Sequence, residues 1–151
     1  MMKALFVCLL LLLVALPTFA AEKTLVNLDK NGVAIQGYDP VAFFTESKPV
    51  KGKLDYQSTY KGAKYFFASA EDKATFDANP AKYEPQFGGY CAYAVSQGHL
   101  APVTIDAFMI VNGRLLMQYD FKVRAIFEKD PQGRLAQADK NWPGLVGKNG
   151  H

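Results

Sequence analysis

Pro85-Gln86-Phe87-Gly88-Gly89-Tyr90-Cys91-Ala92-Tyr93-Ala94, running on to Gly98-His99, is the stretch of this chain best equipped for chemistry. It holds one of two cysteines, two adjacent glycines and one of two histidines. Phe87, Cys91 and Val95 share a face at helical spacing, so a helix over Gly88–Gln97, stopping at Gly98, is expected. Gly88-Gly89 suits a helix entrance, where backbone N–H groups are free. A thiol in that first turn feels the positive end of the helix dipole, which favours thiolate, whereas burial against Phe87 pushes its pKa the other way. A lowered pKa is expected, with Cys91 facing a pocket edged by Tyr38, Tyr90 and His99. Tyr38, Gly88, Gly89, Tyr90 and Cys91 are therefore the candidate ligand-binding residues. Cys91 and His99 are the candidate metal ligands.

A thiolate with an imidazole or a thioether suits a soft ion, so a copper-like metal is the candidate cofactor. Met109 and Met117 offer thioethers, but alternating core positions explain them better. A cysteine used in redox chemistry would instead cycle through sulfenic acid with an external reductant. In a third reading Cys91 is buried and inert within a partner-binding module. No second cysteine supports a CxxC redox pair or a zinc cage, and no Gly-rich loop with Lys-Ser/Thr supports phosphate binding. No catalytic residue is assigned. The chemistry points to a non-catalytic binding domain for a soft metal ion or a small ligand, centred on Cys91.

The elements that must position these residues begin after a targeting segment. Lys3 precedes an apolar run from Ala4 to Leu16, and Ala20 closes a small-residue site, so residues 1–20 are expected to be a cleaved signal peptide. The run is too short for a spanning helix, so no stable membrane insertion is expected after cleavage, and the location is periplasmic or secreted. Cleavage removes Cys8 and leaves Cys91 alone, so no internal disulfide can form. The formal charge of +3 is spread along the chain, which gives no electrostatic footprint for nucleic acid.

Residues 21–143 are expected to form one domain, followed by a flexible tail over 144–151. Val33–Ile35 is a short strand, and Asp39-Pro40 opens a brief helix. Strand-like runs over 55–60 and 64–67 flank Lys61-Gly62. Ser69 caps a helix over 70–78, and Asn79-Pro80 restarts the chain. The strands over 107–111 and 114–119 flank Asn112-Gly113, the clearest type I′ signal. Asp120 and Asp130-Pro131 start two further helices, the second ending near Trp142-Pro143, with Trp142 closing the core. The class is α+β: a small antiparallel sheet of hairpins, pairing into one sheet, packed with short helices.

Gly37-Tyr38-Asp39-Pro40-Val41-Ala42-Phe43-Phe44, Tyr65-Phe66-Phe67-Ala68-Ser69, Asn79-Pro80-Ala81-Lys82-Tyr83 and Gly88-Gly89-Tyr90-Cys91-Ala92 together resemble the YHS domain family. Ala138-Asp139-Lys140-Asn141-Trp142-Pro143 extends the likeness, which is to the exported bacterial YHS domain-containing (seleno)protein branch. The resemblance implies a link to heavy-metal proteins, because shorter YHS and TRASH-like domains carry a cysteine after Asp-Pro-Val. Here that position is Ala42, so copper handling does not carry over directly. The branch's selenoprotein name implies that selenium can replace sulfur at the position of Cys91.

Overall fold

In the computed structural model, which describes residues 15–18 and 20–151, the chain folds as the capping signals direct. The proposed targeting segment, with Cys8, lies mostly outside the described residues. Among the described residues no helix is long and apolar enough to cross a membrane. The elements are α1 (Ala42–Thr45), β1 (Lys53–Tyr60), β2 (Ala63–Phe67), α2 (Ala70–Ala78), α3 (Pro80–Tyr83), α4 (Ala92–Ser96), β3 (Thr104–Val111), β4 (Arg114–Gln118), α5 (Phe121–Phe127) and α6 (Pro131–Asn149). This is an α+β arrangement.

Aspartate and serine start most of these helices. Ser69 Oγ accepts the Asp72 amide at 3.1 Å, Asp120 Oδ1 the Val123 amide at 2.8 Å, and Asp130 Oδ1 the Gly133 amide at 3.0 Å. Asp39 goes further. Fully buried, it accepts Val41 and Ala42 amides on Oδ1 and the Ala68 amide on Oδ2, so one carboxylate ties α1 to the end of β2. Both hairpin tips put their central pair at positive φ, Lys61-Gly62 and Asn112-Gly113, as type I′ turns require.

The two hairpins do not pair with each other. β1 pairs antiparallel only with β2, and β3 only with β4, each with an irregular register near its open end. The expected single sheet is thus corrected to two, and the burial pattern supplies the reason. β4 is buried almost throughout and alternates between two separate cores. Leu115 and Met117 join Phe43, Tyr65, Phe67 and Phe76 on one side. Leu116 joins Phe87, Val95, Phe127 and Leu135 on the other. Side chains of β2 and β4 thus meet in the first core, and the two hairpins pack across it instead of pairing edge to edge. Val33–Ile35 makes isolated bridges and then a 3-10 turn over Ile35–Gly37 rather than a strand.

The C-terminal segment also differs from its expectation. α6 runs through Pro143 to Asn149, where the sequence signals a stop near Trp142. Its end is clasped: the Thr24 amide donates to the His151 carbonyl at 3.1 Å, and the His151 amide returns the bond to Thr24 at 3.0 Å. Trp142 does not plug the core. It is half-buried and packs edge-to-face on Phe87, with ring centroids 5.8 Å apart.

A pH dependence follows from Asp39. Burial, and then the hydrogen bond and charge of Asp39, push the neighbouring Asp72 carboxyl up to about 6. Its folded pKa exceeds the unfolded value, so this pair favours folding most below the unfolded pKa, and the advantage fades as pH rises through about 6. Asp72 is half-exposed, which limits the effect to under about 1 kcal/mol. Asp72→Asn should flatten that part of the stability–pH curve measured by urea unfolding. An unchanged slope would show that the two carboxyls do not interact.

Candidate functional site

Cys91 sits one residue before α4, as its cap, and the preceding glycines explain why. Phe87, Gly88 and Gly89 all have positive φ, so the chain makes a 3-10 turn over Gln86–Gly89 instead of entering a helix. Cys91 then pairs with Met117 as an added rung beside β4, and its amide donates to the Ala101 carbonyl. This places the thiol inside the molecule, 1% exposed. Sγ accepts the Tyr119 amide at 3.3 Å and the Ala94 amide at 3.5 Å, and shares a 3.5 Å contact with Gln118 Oε1.

Gln118 organises this pocket. Fully buried, it accepts the Tyr93 amide on the same Oε1 at 3.1 Å and points Nε2 at Met109 Sδ, 3.5 Å away. One carboxamide therefore stands between two sulfurs. It was not singled out from sequence. The signal for it was available in β4, because Leu116 and Gln118 share one face by strand periodicity.

Burial pushes the Cys91 thiol up, and the charge of Asp120 adds to that. The amides of Ala94, Tyr119 and Tyr93 oppose it without prevailing. The expected lowering is thus reversed: Cys91 precedes a helix of five residues, and desolvation exceeds what the amides return. Alkylation of the native protein at about pH 8.5 should therefore be far slower than that of the urea-unfolded chain, by a factor on the order of 100 or more. Equal rates would mean an open, reactive thiol.

The other candidates disperse. His99 is exposed and lies past the C-terminal end of α4, whereas Cys91 stands before its start, so the structure does not bring them together. Tyr38 packs against the first core beneath Lys51, whose Nζ is 4.5 Å from the ring centroid. Tyr90 packs against the second core. Gly89 accepts from Asn27 Nδ2 through its carbonyl at 3.4 Å. Among the described residues, no three His, Cys, Asp or Glu side chains gather as a metal cage would require.

Gly88 borders a larger opening. It lines a half-open groove of about 500 Å³ that Phe87, Arg114, Asp139, Trp142 and Val146 also border. One wall is the lead-in Glu22–Val26, tied down by the Asn27 amide on the Gly88 carbonyl at 2.8 Å. Arg114 is a bidentate partner of Asp139 at 2.9 and 2.7 Å, gives Nε to Gln86, and lies 5.6 Å from the Phe87 ring centroid. Lys61 and Glu84 pair across the rim at 2.9 Å. Sequence reasoning missed this groove because its walls come from distant parts of the chain.

Residues 41–87 match the sequence profile of the YHS domain. That span covers α1 to α3 and stops before Gly88, Tyr90, Cys91 and His99, so the match supports the likeness of the first core and does not reach the thiol. No curated protein and no solved structure matches the chain.

Proposed function

We propose that this chain is an exported binding domain, not an enzyme, and that it holds a small molecule in the groove floored by Phe87 and Trp142. The groove itself carries this reading: at about 500 Å³ it falls within the usual range for small-molecule sites, roughly 300–1,000 Å³, and pairs an apolar floor with a few polar side chains. The most nucleophilic group of the site region, Cys91, is sealed in the core with its sulfur engaged. Export rests on the N-terminal sequence, Lys3 followed by Ala4–Leu16 and Ala20.

A second reading, a copper-like ion at Cys91, draws on one observation. Cys91 Sγ and Met109 Sδ flank the same Gln118 carboxamide, so a swing of Gln118 would leave two soft donors facing each other. As it stands the site does not fit an ion, because Gln118 fills the space and is bonded to Tyr93 as well.

A thermal-shift survey of small molecules and of Cu(I) separates the two. It compares wild type with Val146→Trp, which fills the groove from α6, and with Cys91→Ala. Stabilising compounds should lose their effect in Val146→Trp and keep it in Cys91→Ala. The reverse pattern, with Cu(I) as the stabiliser, would move the binding function to the thiol.

A further inference from the structure

The lining of the groove narrows the class of its ligand, given that the groove is the binding site. Its charged side chains are balanced: Lys23, Lys61 and Arg114 against Glu22, Glu84 and Asp139. Two of the pairs are closed on themselves, Arg114 on Asp139 and Lys61 on Glu84. Among the described residues Glu22 forms no ion pair and Lys23 donates to the Gly147 carbonyl, one charge of each sign, so the lining favours neither an anion nor a cation. A neutral occupant matches this balance.

Each closed pair still offers hydrogen bonds. Among the described residues, Arg114 spends three of its five N–H groups on Gln86 and Asp139, leaving two. Asp139 keeps free lone pairs beside them. An ion pair thus presents a donor and an acceptor side by side, as a pair of vicinal hydroxyls does in complement. Trp142, Pro85 and Pro143 also line the groove, rigid apolar surfaces with no fixed charge. Such a floor suits a ring with one C–H face and polar edges.

From this arrangement we infer that the groove takes a saccharide ring, stacked by its C–H face on Trp142, with adjacent hydroxyls bridging Arg114 and Asp139. The aromatic floor binds the face and the ion pairs read the edge. A purely apolar ligand would cover the spare N–H groups of Arg114 without offering them an acceptor, which disfavours it.

Trp142 is the only tryptophan of the chain, so its emission reports on the groove directly. The test titrates the purified mature protein with neutral oligosaccharides of glucose and of N-acetylglucosamine, with an uncharged aromatic probe of similar size, and with an aromatic carboxylate. At least one oligosaccharide should shift the emission saturably at millimolar concentration or below. Arg114→Gln, which keeps hydrogen-bonding capacity but breaks the bidentate pair, should weaken it by about 10-fold, the ratio that one good polar contact sets. Binding of the aromatic probe or the carboxylate while every saccharide stays silent would overturn the saccharide assignment and leave the groove as a binding site. Silence of all probes, with Val146→Trp behaving as wild type throughout, would overturn both.

Discussion

Replacing Asp39 with alanine is expected to destabilise the protein by about 3–5 kcal/mol, because it strands buried amides at unit costs of roughly 1–3 kcal/mol each. The Val41 and Ala68 amides lie 2.8 Å from its oxygens and the Ala42 amide 3.4 Å away, in a place where Asp39 has no exposure. α1 and the end of β2 meet at this side chain, so its loss loosens the first core at the edge that holds Phe43 and Phe67. Asp39→Asn should cost less, since one oxygen remains to accept. Both variants should also lessen the pH dependence assigned to Asp72, whose carboxyl is raised first by burial and then by Asp39. Urea unfolding measures the difference, and a loss under about 1 kcal/mol would show that water replaces the carboxylate.

Gly88→Ala is the second large effect, at about 2–4 kcal/mol, combining left-handed backbone strain with overpacking. Gly88 has φ +60°, and a Cβ there would overlap the carbonyl oxygen of Leu25. The clash falls on backbone, so no rotamer change relieves it. The lead-in must move away, which breaks the Asn27–Gly88 bond and opens the wall of the groove. Gly98→Ala is the control: its φ of +89° carries the same kind of strain, but nothing lies within 4 Å. The control should lose only about 1–2 kcal/mol and keep ligand binding. If both variants lost the same amount, the approach of Leu25 to Gly88 would not matter.

Local signals in the sequence were sufficient for the starts of elements. Ser69, Asp120 and Asp130 cap the helices they precede, and Asn112-Gly113 turns its hairpin, because each effect acts over three or four residues. Non-local facts stayed hidden. Leu115-Leu116-Met117 has no polar partner to mark which side is buried, so the run does not reveal that β4 divides two cores. Gly88-Gly89 announces conformational freedom but not its direction. Its positive φ values keep the chain out of a helix and hold Cys91 against β4. Pro143 signals a helix end that tertiary contacts override: Trp142 on Phe87 and Arg114 on Asp139 hold α6 before the proline, and Lys23 Nζ on the Gly147 carbonyl holds it after. The groove needs Thr24, Gly88, Arg114 and Val146 at once, which no local pattern encodes.

With the proposed binding site in the groove and the thiol in the core, one nuclear magnetic resonance titration checks both. In uniformly ¹⁵N-labelled protein, the single indole N–H signal belongs to Trp142, and the amides of Ala94 and Tyr119 report on Cys91 Sγ through the hydrogen bonds they donate to it. With a ligand found by thermal shift, the Trp142 indole signal should move progressively to saturation, together with the amide of Gly88, while those of Ala94 and Tyr119 hold still. Movement of the Ala94 and Tyr119 amides with a stationary Trp142 indole would contradict the account and place the ligand at Cys91.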